Sequence, residues 1–208
     1  MKKGTPDNKG DNAMQIKSER IILRDMIETD IDDYVRWFTT ETEWTVWDAP
    51  WEPVEGDEAA QRTEWTEYFE SVRQLSDDEL RWKFEIEYNG RHIGWVSSYL
   101  INENYEWIAA NDVKAGQKVH RAVGIDICEK SVWGNGIGTT ALEDFIQYYV
   151  DNGCEEIYTQ TWSGNKRMLR CAAKLGFEVC GRNAGAREAA GARYDGLTLI
   201  FKRKPSST

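Results

Sequence analysis

The chain has 208 residues and a formal net charge of −10, with no run of about 18 apolar side chains and no apolar stretch near its start, so length and composition point to one cytoplasmic domain and away from membrane insertion or export. The charge is lopsided: between Glu41 and Glu79 thirteen acids face two arginines, and the rest is close to neutral. Nucleic acid is excluded as a partner, because phosphate contacts need clustered Lys and Arg.

The first fifteen residues are polar and aperiodic, and read as a disordered tail ahead of a domain over 16–204. Ile16 to Met26 reads as a first strand. Thr29 then caps a helix with Ile31, Tyr34, Val35 and Phe38 on one face. A tryptophan-rich acidic loop follows, and the next helix buries Trp65, Tyr68, Phe69 and Val72. Trp82, Phe84, Ile86 and Tyr88 alternate into Asn89-Gly90, a strong hairpin signal, and Ile93 and Trp95 continue the partner strand. A polar loop over 102–118 leads to a strand with apolar residues at 119, 123, 125 and 127. After a glycine-rich turn, Leu142, Phe145, Ile146, Tyr149 and Val150 mark an amphipathic helix. Glu156 to Trp162 is β-prone. A further helix with Met168, Ala172 and Leu175 on one face ends at Gly176, which suits a C-terminal cap. Two last strands, about 177–182 and 194–203, are joined by a Gly/Ala-rich loop over 183–193.

The turn between the strand and the helix, Val132-Trp133-Gly134-Asn135-Gly136-Ile137-Gly138-Thr139, carries the most chemical information. Free backbone N–H groups at a helix N-terminus form a phosphate site. A P-loop would need a lysine after the glycines, and the dinucleotide fingerprint would need a third glycine where Thr139 stands. What remains is a lead-in followed by Gly-x-Gly. Together with the Asn165-led helix ending in Leu175-Gly176-Phe177, it resembles the acetyl-CoA machinery of the Gcn5-related N-acetyltransferases, the GNAT superfamily. Motif order and spacing match over 119–182, about a third of the chain. Trp133 opens the loop where most members have Arg or Gln. The ribosomal-protein N-acetyltransferase branch and many antibiotic-modifying relatives share that tryptophan.

The resemblance implies an α/β (α+β) fold: a single mixed, mostly antiparallel sheet of six to seven strands flanked by about four helices. It implies acetyl-CoA as co-substrate, held by Ile127, Cys128, Trp133, Gly134, Asn135, Gly136, Ile137, Gly138, Thr139 and Asn165. Helix capping is the alternative role for Asn165. The strand leading into the loop is expected to offer a backbone N–H to the oxyanion near Ile127 and Cys128. Ala172 stands where many members place a tyrosine that protonates the leaving thiolate, so that proton must come from Ser163, water or the substrate.

Acetylating an amine requires it to shed a proton. For a lysine-like amine this costs roughly 4–5 kcal/mol at pH 7. Asp126 is the candidate base, since its side chain alternates away from the face of Val123, Ile125 and Ile127. Gly124-Ile125-Asp126 also resembles the aminoglycoside 6′-N-acetyltransferases, where an Asp two residues after a Gly is the proposed base; a structural ion pair is the alternative. Trp47, Asp48, Trp51 and Glu52 are candidates for binding a cationic acceptor, against solvated acids and core tryptophans. Cysteines 128, 154, 171 and 180 form no Cys-x-x-Cys pair, so no metal is expected. Three functions stay open: an acetyltransferase for aminoglycoside- or polyamine-like amines, with antibiotic resistance as one role; an N-terminal acetyltransferase for peptides or proteins; and a non-catalytic acyl-CoA-binding module. Either a monomer or a homodimer is compatible with the sequence.

Overall fold

A computed structural model describes residues 14–54 and 56–202. Most of the tail reading therefore falls on residues outside the described ones. At its end, Met14 donates its N–H to the Asp25 carboxylate at 3.1 Å, and Gln15 already belongs to a strand.

Nine strands and four α-helices are described. In chain order they are β1 (Gln15–Lys17), β2 (Ile22–Arg24), α1 (Asp30–Thr39), α2 (Glu58–Val72), β3 (Lys83–Tyr88), β4 (Arg91–Asn102), β5 (Trp107–Ile108), β6 (Val119–Ile127), α3 (Ile137–Asp151), β7 (Glu156–Trp162), α4 (Lys166–Leu175), β8 (Glu178–Ala189) and β9 (Ala192–Lys202). They form one sheet in the order β1-β2-β3-β4-β6-β7-β9-β8, with β5 beside β4. Every pairing is antiparallel except β6 with β7.

Local chemistry explains most of these elements. Asn89 and Gly90 take positive φ values of 51° and 71°, as a two-residue hairpin requires. The Asn165 carboxamide oxygen accepts from the Met168 N–H at 2.9 Å, and Gly176, at φ 85°, ends α4. Along α3, Leu142, Phe145, Ile146, Tyr149 and Val150 are all buried. They pack against the sheet face carrying Phe84, Ile86, Val96 and Val123.

Several expectations need correction. Ile16 to Met26 is two short antiparallel strands, because the chain turns back between Lys17 and Ile22. This split and the two-residue β5 bring the sheet to nine strands. Thr29 does not cap α1: its side chain makes no capping bond, while the Asp30 carboxylate accepts from the Ile27 N–H at 2.9 Å. Residues 183–193 are no loop. β8 and β9 form a long hairpin closed by Ala190-Gly191 at φ 49° and 73°. Trp82 lies just ahead of β3 and is exposed, whereas Trp37, absent from the expected face of α1, is fully buried.

Candidate active site

The single parallel pairing creates the site. β6 and β7 are in register only at Arg121 with Ile157 and Ala122 with Tyr158. Beyond these pairs the strands diverge. At the fork the Thr159 hydroxyl donates to the Val123 carbonyl at 2.7 Å, satisfying a group that a neighbouring strand would otherwise bond. Gly124, Ile125, Asp126 and Ile127 then line one wall of the opening, and Thr159, Gln160 and Thr161 the other. The resulting cleft of about 510 Å³ runs from the glycine turn and α4 to the 3₁₀ turn over Thr42–Val46.

At one end lies the glycine turn. Gly134 and Gly136 hold φ near +80°, a conformation costly for other residues. Gly136 leads directly into α3, where the N–H groups of Ile137 and Gly138 have no intrahelical acceptor. Adding a Cβ to Gly138 would meet Ile125 and Ile127 at 3.7 Å. Arg20, from the β1–β2 turn, donates to the Asn135 carbonyl at 2.9 Å and braces the loop from outside the cleft. The Trp133 indole N–H bonds the Ile127 carbonyl at 2.8 Å, tying the loop to the end of β6. Arg167, Arg170 and Lys174 line the cleft along α4. Backbone donors, a helix N-terminus and three cations make a surface for phosphate groups. The residues present thus fit a pyrophosphate-bearing co-substrate.

The other end is acidic and aromatic. Asp126 and Asp48 are the only carboxylates among the described residues that line the cleft. Withdrawal from bulk water, and then the Asp48 charge, push Asp126 well above the usual carboxylate range; Lys83 and the Trp95 indole pull the other way. Asp48 stands at the solvent-reached mouth. The surrounding protein and the neighbouring Glu52 charge raise it as well.

The loop carrying Asp48 is latched to the end of β7 and the start of α4. The Trp47 carbonyl accepts from the Trp162 indole at 3.2 Å and from the Asn165 carboxamide. Arg167 is sandwiched between the Trp47 and Trp133 rings, with centroids at 4.2 and 4.3 Å. Asn165 therefore spends its oxygen on the α4 cap and one N–H on Trp47.

Not every expected residue faces the cleft. Ile127, Trp133, Gly134, Gly136, Ile137, Gly138, Thr139 and Asn165 line it; Asn135 and Cys128 do not. Cys128 is buried on the α1 and α2 side, and burial pushes its thiol well up. Its N–H bonds the Ile93 carbonyl at 2.9 Å and so is not free to meet an oxyanion. Trp51 and Glu52 also stand outside the cleft: the Trp51 ring packs edge-on against Trp162 at 5.8 Å, and its indole N–H reaches Glu52 at 3.3 Å. Ala172 is fully buried, and the Ser163 hydroxyl accepts from the Asp195 N–H at 3.0 Å, away from the cleft lining. The four acids of α2, Glu58, Glu64, Glu67 and Glu70, are all exposed to solvent. Sequence reasoning missed Arg20 and Lys83, which carry no motif and come near the site only through the fold, and Arg167, which lies in the Asn165-led helix but meets Trp47 only through the fold.

A family model described as an acetyltransferase (GNAT) domain matches residues 20–178. Among solved structures, the chain is similar to a ribosomal-protein-S5-alanine acetyltransferase from Vibrio fischeri, with 18% identity, a TM-score of 0.66, and 91% of this chain and 96% of that one covered. It is similar to a GNAT-family acetyltransferase from Bacillus anthracis, with 14% identity, a TM-score of 0.63 and coverage of 91% and 98%. A third similar structure is the microcin C7 self-immunity acetyltransferase MccE in complex with acetyl-CoA and AMP, at 17% identity, a TM-score of 0.61 and coverage of 89% and 94%. Among the curated proteins none matches the chain.

Proposed function

The chain belongs to the GNAT acetyltransferase family, and from that premise we propose that it transfers an acetyl group directly from acetyl-CoA to a primary amine of a small cationic acceptor, aminoglycoside- or polyamine-like. The observation that carries this reading is the convergence of Asp48 and Asp126 in a cleft whose other charged lining residues, Arg167, Arg170 and Lys174, are cations. An ammonium group docks against the carboxylates, and Asp126 takes its proton, directly or through water. A carboxyl whose proton affinity burial has raised is a stronger base than an ordinary one. The neutral amine then attacks the thioester carbonyl; the C–N bond forms, the C–S bond breaks, and the thiolate is protonated by water or the substrate. The glycine turn and the α4 cations hold the pyrophosphate meanwhile.

Thiol release from acetyl-CoA across a panel of amines tests this. Asp126→Asn should lower kcat/KM by about 10²–10⁴-fold, with acetyl-CoA affinity by calorimetry barely changed. Near-normal turnover would return Asp126 to a structural role. Peptide N-terminal acetylation is the second reading, favoured by Trp133 and by the likeness to the S5-alanine acetyltransferase. Salt separates the two. Neutralising Asp48 and Glu52 and adding salt should weaken multivalent amines more than monoamines if the acids hold a polycation; equal effects favour the peptide.

A further inference from the structure

Behind the cleft lies a buried cation that the proposed chemistry has not used. Lys83, on β3, is only 6% exposed. Its ammonium nitrogen stands 4.4 Å from the ring centroid of Tyr34, 4.5 Å from Trp65, 4.7 Å from Tyr68 and 4.9 Å from Trp95. These rings come from α1, α2 and β4, and they box in one charge. Aromatic faces attract a cation but accept no strong hydrogen bond from it. The Glu85 carboxylate, at 3.9 Å, is beyond hydrogen-bond length, and its Oε1 has no hydrogen-bond partner among the described residues. A lysine needed only for its stem would turn its ammonium to water. Holding the charge inside carries a desolvation penalty that an apolar residue would avoid.

The sheet register relates this box to the cleft. Glu85 lies opposite Trp95, and Trp95 opposite Asp126; Lys83 lies opposite Ser97, and Ser97 opposite Gly124. Lys83, Glu85, Trp95 and Asp126 therefore share one sheet face, and the Lys83 ammonium lies over the Trp95 ring, between β3 and β6.

We propose that Lys83 is a positioning residue for acetyl transfer: its boxed ammonium supplies the positive charge that keeps the Asp126 carboxylate ionised as the acceptor amine docks. This rests on reading Asp126 as the proton acceptor. The groups facing Asp126 are Asp48, which raises it, and Lys83 and the Trp95 indole, which lower it. Burial lowers Lys83 below its ordinary value, and Glu85 from β3, Asp30 from α1, and Asp126 and Cys128 from the β6 side offset that only in part. The Tyr34 and Tyr68 hydroxyls in the box wall are pushed up by burial and stay neutral.

Lys83→Met keeps the apolar stem and removes the charge. The acid limb of kcat/KM should move up by about one pH unit, so that activity on the limb falls about tenfold while the alkaline plateau changes far less. Lys83→Arg should leave the limb near its wild-type position. A Lys83→Met enzyme that loses stability with its limb unmoved overturns the proposal. If that variant does not fold, the reciprocal effect is still measurable, since a coupling acts equally on both groups. The NMR titration of the Lys83 ε-methylene should have a lower midpoint in Asp126→Asn than in the wild type. An unchanged midpoint beside a crippled Asp126→Asn enzyme overturns the role of Lys83 alone. Normal turnover of Asp126→Asn overturns the catalytic reading, and this proposal with it, whatever Lys83 does.

Discussion

The two faces of β3 are both buried, and they are built from opposite materials. On one side Phe84 packs edge-on against Phe145 and Tyr148, with centroids at 6.0 and 5.2 Å, and Ile86 completes an apolar layer under α3. On the other side Lys83 and Glu85 continue a buried chain of alternating charge. Arg24 pairs with Asp30 at 2.6 Å, His92 lies 3.4 Å from Asp30 and 3.3 Å from Asp33, and its Nε2 meets Glu85 at 2.9 Å. The Tyr34 hydroxyl donates to Glu85 at 2.6 Å. Burial alone would raise the Glu85 carboxyl; Lys83, His92 and that hydroxyl outweigh it and hold it below its usual range. Apolar contacts stabilise wherever they are made. A buried charge is tolerable only while each partner is in place. The apolar face therefore carries stability, and the charged face, which leads to Asp126, carries a constraint that stability alone would not select.

Breaking the charged face at its centre should have the largest effect. Glu85→Ala strands Lys83, His92 and the Tyr34 hydroxyl, and urea unfolding should report a loss of about 3–5 kcal/mol. A loss under about 1 kcal/mol would mean that the chain of charges relaxes without cost. The pH dependence of stability probes the same face. Burial opposes protonation of His92, but Asp33 and Glu85 raise its imidazole from the ordinary 6.5 to about 9. A raised folded-state value means stability that is fully present below pH 6.5 and lost as pH rises through 9. Between pH 6 and pH 10 the loss from this group should be about 3 kcal/mol, and a His92→Asn variant should show a flatter alkaline decline. An identical decline in both proteins would remove His92 from the account. The smallest effect belongs to the apolar face. Ile86→Val should cost about 0.5–1.5 kcal/mol and leave the pH profile of kcat/KM where it was. A shifted profile would show that the two faces are not separable.

What was legible in the chain follows from how locally each feature is encoded. Asn89-Gly90, Asn165 and Gly176 act within a few residues of themselves, and each does in the structure what its residue type demands. The glycine turn is largely local too, since the positive φ of its glycines and its place before α3 are set within a few residues, with Arg20 bracing it from a distance. β8 was not legible. Its Gly-, Ala- and Arg-rich run has no apolar alternation, is mostly exposed, and becomes a strand by pairing with β9. The same limit hid the latch on the loop carrying Asp48, where Trp47 meets Trp162 and Asn165, more than a hundred positions away.

By itself the sequence determined the order of the helices and of most strands, the glycine turn, and the alternation that sets Asp126 opposite Ile125 and Ile127, because period, caps and turns are properties of neighbouring residues. The tertiary structure alone decided which polar residues are inside. Lys83 and Glu85 alternate with Phe84 and Ile86 as a solvated face would. They are buried because α1 and α2 fold back over that side of the sheet and close a box of rings around the charge. Tertiary structure also decided that β6 and β7 part after two paired positions, which opens the cleft and brings Asp48 and Asp126 to it from separate parts of the chain. No local pattern encodes a gap between strands, since its walls are set by how distant segments pack.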